Sequence, residues 1–283
     1  MHAAFVALLL LPGLAAAQLP APPPAAEPVL LLGTYQYTGQ PDSTDKASVQ
    51  REIMFLALGK TLSRFESLGQ HLQDSVSALP DDPANSISDE AADVYLSKLA
   101  ALPHSNFNDV VYKHTLSRQL WLVGRVTMTA YHYPEATPTW VITPATATLS
   151  GYACQRATTT LGGRTWEAWF TREVPVSEGP YKFAGLPGLI VQVADTRHYY
   201  RFELLSLRPV AAGQQVRFPA KTTAITRAAF RQAQADYNRD PIGRRNASAS
   251  DGSYVTFTPS NPERFRRNFQ ERLRKRNNPL ELR

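Results

Sequence analysis

The side chains of this chain that could do chemistry are present but dispersed. His71, His104, His114, His132 and His198 stand singly. A zinc site draws its ligands from short, repeated spacings, so each reads as a surface or satisfied core histidine. Cys154 is the single cysteine. It sits in the strand-like stretch 151–157 with no histidine at ligand spacing, and it reads as a small buried hydrophobe. Gly59-Lys60-Thr61 mimics the end of a phosphate-binding loop, but that loop needs a glycine five positions before its final one, and Met54 stands there. The segment is therefore a turn. No His-Glu-x-x-His, Gly-x-Ser-x-Gly or paired-cysteine spacing occurs. The sequence assigns no catalytic residue, no metal ligand and no cofactor. A triad assembled from distant residues would leave no local mark, and that route stays open.

Two segments remain as candidates for recognition. The first is the corner Gly179, Pro180, Tyr181, Lys182, Phe183, Gly185, Leu186, Pro187 and Gly188. Glycine and proline here specify a tightly bent backbone. Pro187-Gly188 suits a type II turn, with proline presetting φ and glycine supplying the positive φ that follows. The corner can shape a recognition edge or simply allow close packing. The second is a basic helix over residues 262–276, carrying Arg266, Arg267, Arg274 and Lys275. Phe265, Phe269 and Leu273 recur at i, i+4 and i+8, a single apolar stripe that can dock while the charges face water or a partner. Tyr35, Tyr37, Trp140, Trp166 and Trp169 can stack on sugar rings or, more commonly, pair within the core.

The elements that must position these residues are mostly strands. Residues 29–37, 51–58, 61–68, 109–115, 119–133, 139–142, 149–160, 165–171, 189–195 and 199–205 carry β-type patterns, several with period-2 alternation. Leu161-Gly162-Gly163-Arg164 marks a hairpin. Residues 71–108 leave the sheet as a helix-and-loop excursion, with a helical patch at 89–102 behind Ser88 as N-cap. Thr226 caps a helix over 226–238. The predicted fold is mainly β: an antiparallel curved sheet or open barrel with a few packed helices, including the basic C-terminal one.

Residues 1–17 read as a secretory signal peptide, an apolar segment ending in small residues. Residues 18–28 are a flexible Pro/Ala-rich N-terminus. Residues 29–283 form one β-rich domain. Export with a single cysteine rules out an internal disulfide, so stability must come from the core. The net charge of +6 is concentrated late, with thirteen basic and six acidic residues from Arg227 onward. Export argues against a nucleic-acid partner for that basicity and leaves lipid or an acidic protein face. No later run is long enough to span a membrane as a helix.

Tyr152-x-Cys154-Gln155-Arg156-Ala157, then Gly163-Arg164-x-Trp166-x-Ala168-Trp169-Phe170, then Gly179-Pro180-Tyr181-Lys182-Phe183-x-Gly185-Leu186-Pro187-Gly188-Leu189-Ile190 resemble the GLPGLI family. Further matches run from Tyr37 through Asp42-Ser43, at Glu52, Met54, Ser63, Phe65 and Ser67, and at the closing Arg276-Asn277-Asn278-Pro279-Leu280-Glu281-Leu282. The resemblance implies an exported, periplasmic or secreted protein of gram-negative bacteria with no established activity. Family genes often lie near outer-membrane TonB-dependent transporters, which implies a link to outer-membrane transport. The expectation is a non-enzymatic binding or assembly role with an outer-membrane or periplasmic protein as partner. The alternatives are a carrier of an apolar ligand and a hydrolase of envelope polymer or peptide.

Overall fold

The computed structural model describes residues 26–77, 105, 107–245 and 257–282. It is mainly β, with 44% strand and 16% helix. In chain order the elements are β1 (Glu27–Pro28), β2 (Leu31–Gly39), β3 (Gln50–Leu58), β4 (Leu62–Ser67), α1 (Leu68–Ser77), β5 (Val110–His114), β6 (Gln119–Val126), β7 (Thr129–Ala136) and β8 (Val141–Leu149). There follow β9 (Tyr152–Leu161), β10 (Arg164–Thr171), β11 (Leu189–Asp195), β12 (Tyr200–Pro209), β13 (Gln215–Val216), β14 (Thr223–Ala224), α2 (Arg227–Arg239) and α3 (Pro262–Arg274).

Twelve strands form one sheet in the order β14-β7-β6-β5-β4-β3-β2-β12-β11-β10-β9-β8. All its pairings are antiparallel except β14 beside β7. Two meanders, β2 to β7 and β8 to β12, are joined by the pairing of β2 with β12 from Tyr200↔Gly39 to Pro209↔Leu31. The sheet is curved and not closed. Glu27 and Pro28, at the end of the expected flexible N-terminus, pair with Val216 and Gln215. The expected signal peptide over residues 1–17, most of the Pro/Ala-rich stretch, and the expected helical patch 89–102 with Ser88 lie outside the described residues.

Some predicted boundaries move, and each has a local cause. The strand expected over 119–133 is two strands, β6 and β7. They turn at Thr127, held at φ 55°, with its hydroxyl donating to the Val126 carbonyl at 2.7 Å. That turn carries no glycine or proline for a pattern reading to find. The strand begun at 139–142 runs on through Pro144 as β8, because β8 is an edge strand with a register irregularity between Ile142 and Thr146. Proline is tolerated where no ladder bond is lost. The hairpin at Gly162-Gly163 forms as expected, with φ of 59° and 79°, the positive pair that a type I′ turn requires. Thr226 and Asn261 cap α2 and α3 by accepting from the backbone N–H of Ala229 and Arg264.

Alternation sorts the strands into two faces. The inner face presents Tyr35, Met54, Leu56, Phe65, Val111, Leu120, Leu122, Trp166 and Phe202, all buried. The outer face carries a smaller cluster, Val29, Leu62, Val110, Tyr112, Trp121, Val216 and Phe218. A sheet this wide leaves its inner face open unless something fills it. Residues 172–188 do so. Tyr181, Phe183 and Leu186 are buried there; Phe183 packs on Trp166 at 4.8 Å and Tyr181 stacks on Phe202 at 6.3 Å between ring centres. The segment is tied in by Ile190 N–H to the Glu178 carbonyl (2.9 Å) and Leu189 N–H to the Val174 carbonyl (3.0 Å).

The turn at Pro187 is not the expected type II turn. Gly188 N–H donates to the Leu186 carbonyl at 2.8 Å, closing a three-residue turn. The glycine is needed for space: a Cβ on Gly188 would lie 2.0 Å from the Thr171 carbonyl oxygen. A Cβ on Gly185 would meet nothing within 4 Å, although φ there is +97°. Gly188→Ala is expected to cost about 3 kcal/mol or more, because the β10 backbone must move. Gly185→Ala is expected to cost only about 1 kcal/mol, the left-handed penalty alone. Urea denaturation of the two variants checks this, and equal losses would contradict it.

Candidate functional site

The inward-filling segment delivers two side chains to a polar cluster. Lys182, 1% exposed, places Nζ 2.9 Å from Glu135 Oε1 and 2.6 Å from Glu281 Oε1. Arg227, at the start of α2, bridges the same two carboxylates, with Nε 3.2 Å from Glu135 Oε1 and Nη2 2.6 Å from Glu281 Oε2. The Tyr181 hydroxyl donates to Glu281 Oε1 at 2.7 Å. Tyr181 is itself held at φ 51°, a left-handed conformation that bulky residues avoid and that persists only when the surroundings over-determine it. Its ring contacts and its bond to Glu281 do so.

Glu281 reaches the cluster because the C-terminal segment is clamped. Arg164 is buried on the inner face, with Nη1 3.2 Å from Asp195 Oδ2. It donates from Nε to the Leu280 carbonyl (3.0 Å) and from Nη2 to the Pro279 carbonyl (2.6 Å). Leu282 N–H donates to the Gly162 carbonyl at 2.6 Å. The glycine hairpin, its arginine and the closing Asn-Pro-Leu-Glu-Leu stretch thus form one joint.

Above the cluster opens a cleft of about 320 Å³, lined by Tyr37, Asp109, Tyr133, Tyr181, Arg227 and Glu281, with Arg231 and Arg276 also at its wall. Asp109 is the odd member. Among the described residues its side chain makes no hydrogen bond or ion pair. Burial pushes its carboxyl up to about 6; Lys182 opposes the shift, and Glu281 and Glu135 add to it. Burial first, then the carboxylates Glu281 and Asp109, hold the Tyr181 phenol well above its usual range. Burial and Asp109 do the same to Tyr133. Both phenols therefore keep their protons, and Tyr181 donates its own to Glu281. A carboxyl that exchanges its proton near neutrality, beside two protonated phenols and a balanced ion network, can bind a polar ligand or move a proton.

The corner residues separate. Tyr181 and Lys182 join this cluster. Phe183 enters the core. Gly179 is buried, and its carbonyl accepts from Lys113 Nζ. Pro180 is buried and accepts from Phe183 N–H at 3.0 Å. Gly188 is wedged against Thr171, Pro187 is exposed, and Gly185 and Leu186 border a second cleft. On α3, Arg266, Arg267, Arg274 and Lys275 are exposed and none reaches the first cleft. The apolar stripe does dock: Phe269 meets Tyr237 of α2 at 5.5 Å and Phe265 meets Phe257 at 5.3 Å. Of the histidines, His71 lies 3.0 Å from Glu66, His114 bonds Ser117 at 2.8 Å and His132 bonds Thr222 at 2.9 Å. Among the described residues no group of three or more His, Cys, Asp or Glu could hold a metal ion, and no helix is long and apolar enough to cross a membrane. Asp109, Glu135 and Arg227 were not singled out by sequence patterns. The available signal was parity, since Asp109 and Glu135 alternate with the inward-facing Val111 and Tyr133.

A family model described as "Protein of unknown function (Porph_ging)" matches residues 162–192. That span holds the glycine turn of the β9–β10 hairpin, Arg164 and the whole filling segment. No curated protein matches the chain. Among solved structures it is similar to "Structure of PNGF-II in P21 space group" and "Structure of PNGF-II in C2 space group", each at 13% identity and a TM-score of 0.47. The matches cover 72% of this chain and 33% and 32% of those chains, so it spans about a third of their length.

The folded-state value of Asp109, about 6 against 3.8, means that folding favours the protonated carboxyl. The stability this contributes is complete below about pH 4 and is lost as pH rises through about 6, at most about 3 kcal/mol. Asp109→Asn is therefore expected to be more stable than the parent at pH 8 by about 2 kcal/mol, with the gap closing toward pH 4. Denaturant unfolding at both pH values checks it; a gap independent of pH would refute it.

Proposed function

We propose that this chain is an exported protein of the GLPGLI type with a binding or assembly role at the cell envelope, holding an acidic segment of an outer-membrane or periplasmic protein on its basic C-terminal side. One observation carries this reading. α3 exposes Arg266, Arg267 and Arg274, and among the described residues none of the three makes an ion pair; Lys275 has only Glu271 at 3.5 Å. Exposed positive charge gathered on one helix attracts an anionic partner and speeds encounter. Beside the helix runs a groove of about 920 Å³ lined by Arg125, Arg245 and Arg276, sharing Asn108, Gln234, Arg276 and Pro279 with the first cleft. A partner lying along α3 therefore has a continuous path to Asp109. The link to outer-membrane transport rests on the family resemblance. The filled inner face favours this reading over a carrier of an apolar ligand.

A second reading, a hydrolase of envelope polymer or peptide, is favoured by Asp109. It titrates near neutrality in an open cleft, within the field of Glu281 and Glu135. That gives a candidate general acid or base.

Crosslinking in the native envelope with mass spectrometry of the attached peptide tests the first reading. The expected outcome is one envelope protein joined through a segment rich in Asp and Glu, and its loss in Arg266→Glu/Arg267→Glu/Arg274→Glu, whose exposed positions leave the fold intact. An unchanged crosslink in that variant would sink the binding proposal. Turnover of an envelope polymer that vanishes in Asp109→Asn would establish the second reading instead.

A further inference from the structure

Four residues along β5 from Asp109, on the order of 13 Å at strand spacing, the inner face carries a second polar floor. Ser63 of β4 and Lys113 of β5 are register partners, and Glu178 comes from the filling segment. Ser63 is 1% exposed and Lys113 and Glu178 each 2%. Lys113 Nζ lies 2.8 Å from Glu178 Oε2 and donates to the Gly179 carbonyl. Yet, among the described residues, Ser63 Oγ has no hydrogen-bond partner, and Glu178 Oε2 meets only the Lys113 ammonium. Native structures rarely leave such groups unused. Both border a cleft of about 640 Å³, along with Trp140, Gly185 and Leu186.

The chemistry of this floor narrows what can fill it. A bare anion meets Glu178, and a bare ammonium meets Lys113. A group that donates and accepts at neighbouring atoms suits both, and vicinal hydroxyls do so. Trp140 supplies a wall: its indole N–H donates to the Ala184 carbonyl at 2.8 Å and its ring packs on Phe183 at 6.1 Å. This fixes the ring where a C–H face can lie against it. The mouth is basic, with Lys60, His114 and Arg118, and among the described residues Glu178 is the only acid lining the cleft. A peptide would most easily bind by extending a strand edge; β4 and β5, which make the polar floor, are each paired on both sides, and of the edge strand β8 only Ile142 reaches the cleft.

We infer that this second cleft binds a saccharide unit carrying an acidic group. Its hydroxyls bond Ser63 and the Lys113–Glu178 pair, its ring face rests on Trp140, and its acid points to Lys60 and Arg118. Gly185 keeps the approach clear, since a Cβ there would touch nothing. The site stands apart from the basic side of α3 and does not depend on what binds there.

Isothermal titration with trigalacturonic acid, maltotriose and trialanine tests this. Saturable binding of the acidic trisaccharide is expected, with Kd at or below about 1 mM. Ser63→Ala should weaken it about fivefold, the loss of one hydrogen bond. Lys60→Gln/Arg118→Gln, at exposed positions, should weaken it by a similar factor and flatten its dependence on salt. Arg267→Glu on α3 should leave it unchanged, which separates this site from the partner surface. Unaltered melting temperatures establish that the variants are folded. No binding of the acidic trisaccharide, equal binding of maltotriose, preference for trialanine, or wild-type affinity in both cleft variants would each overturn the assignment.

Discussion

The buried ammonium of Lys182 is the interaction on which the rest depends. A twelve-stranded curved sheet exposes a broad inner face, and this chain covers it with an irregular segment. Irregular backbone brings polar groups inward, and one of them is a full charge. Such a charge is tolerated in the interior only when paired and hydrogen-bonded. Glu135 from β7 and Glu281 from the C-terminal segment provide that pairing. One side chain therefore ties a sheet strand, the filling segment and the end of the chain to a common point.

The two other buried cations extend the same logic. Lys113 fixes Glu178 and the Gly179 carbonyl at one end of the segment. Arg164 fixes Asp195 and the carbonyls of Pro279 and Leu280 at the joint that presents Glu281. Ion pairs of this kind add little net stability over apolar packing, but removing one partner is strongly unfavourable. Their value here is placement. They determine where an otherwise flexible segment and tail come to rest, and both clefts border the segment so placed. The strain at Tyr181 belongs to this picture: the segment adopts a disfavoured φ because its ring, its hydroxyl and the neighbouring lysine are all committed.

Much of the sheet was legible along the chain. The β-type pattern in 51–58 and the double glycine at 162–163 identify β3 and the β9–β10 hairpin, because a strand and a type I′ turn each leave a local trace. Thr127 left none, since its left-handed φ is imposed by the pairing of β6 with β7 rather than by its own preference. The candidate clefts were less legible. Gly185 and Lys182 stood out through the corner motif, but their separate destinations did not. Asp109, Glu135 and Arg227 lie far apart in sequence and share no spacing.

Composition, periodicity and turn chemistry by themselves determined that this is a mainly β protein, a curved sheet or an open barrel, with a specified glycine-proline corner and a basic terminal helix. These are properties of neighbours along the chain. Only the tertiary structure decided that the corner is an inward plug, that Lys182 sits between Glu135 and Glu281, and that Asp109 borders a cleft with no hydrogen-bond or ion-pair partner among the described residues. The physical reason is range. Backbone preference acts over a few residues, whereas the proton affinity of a carboxyl is governed by burial and by charges that the fold gathers from distant strands.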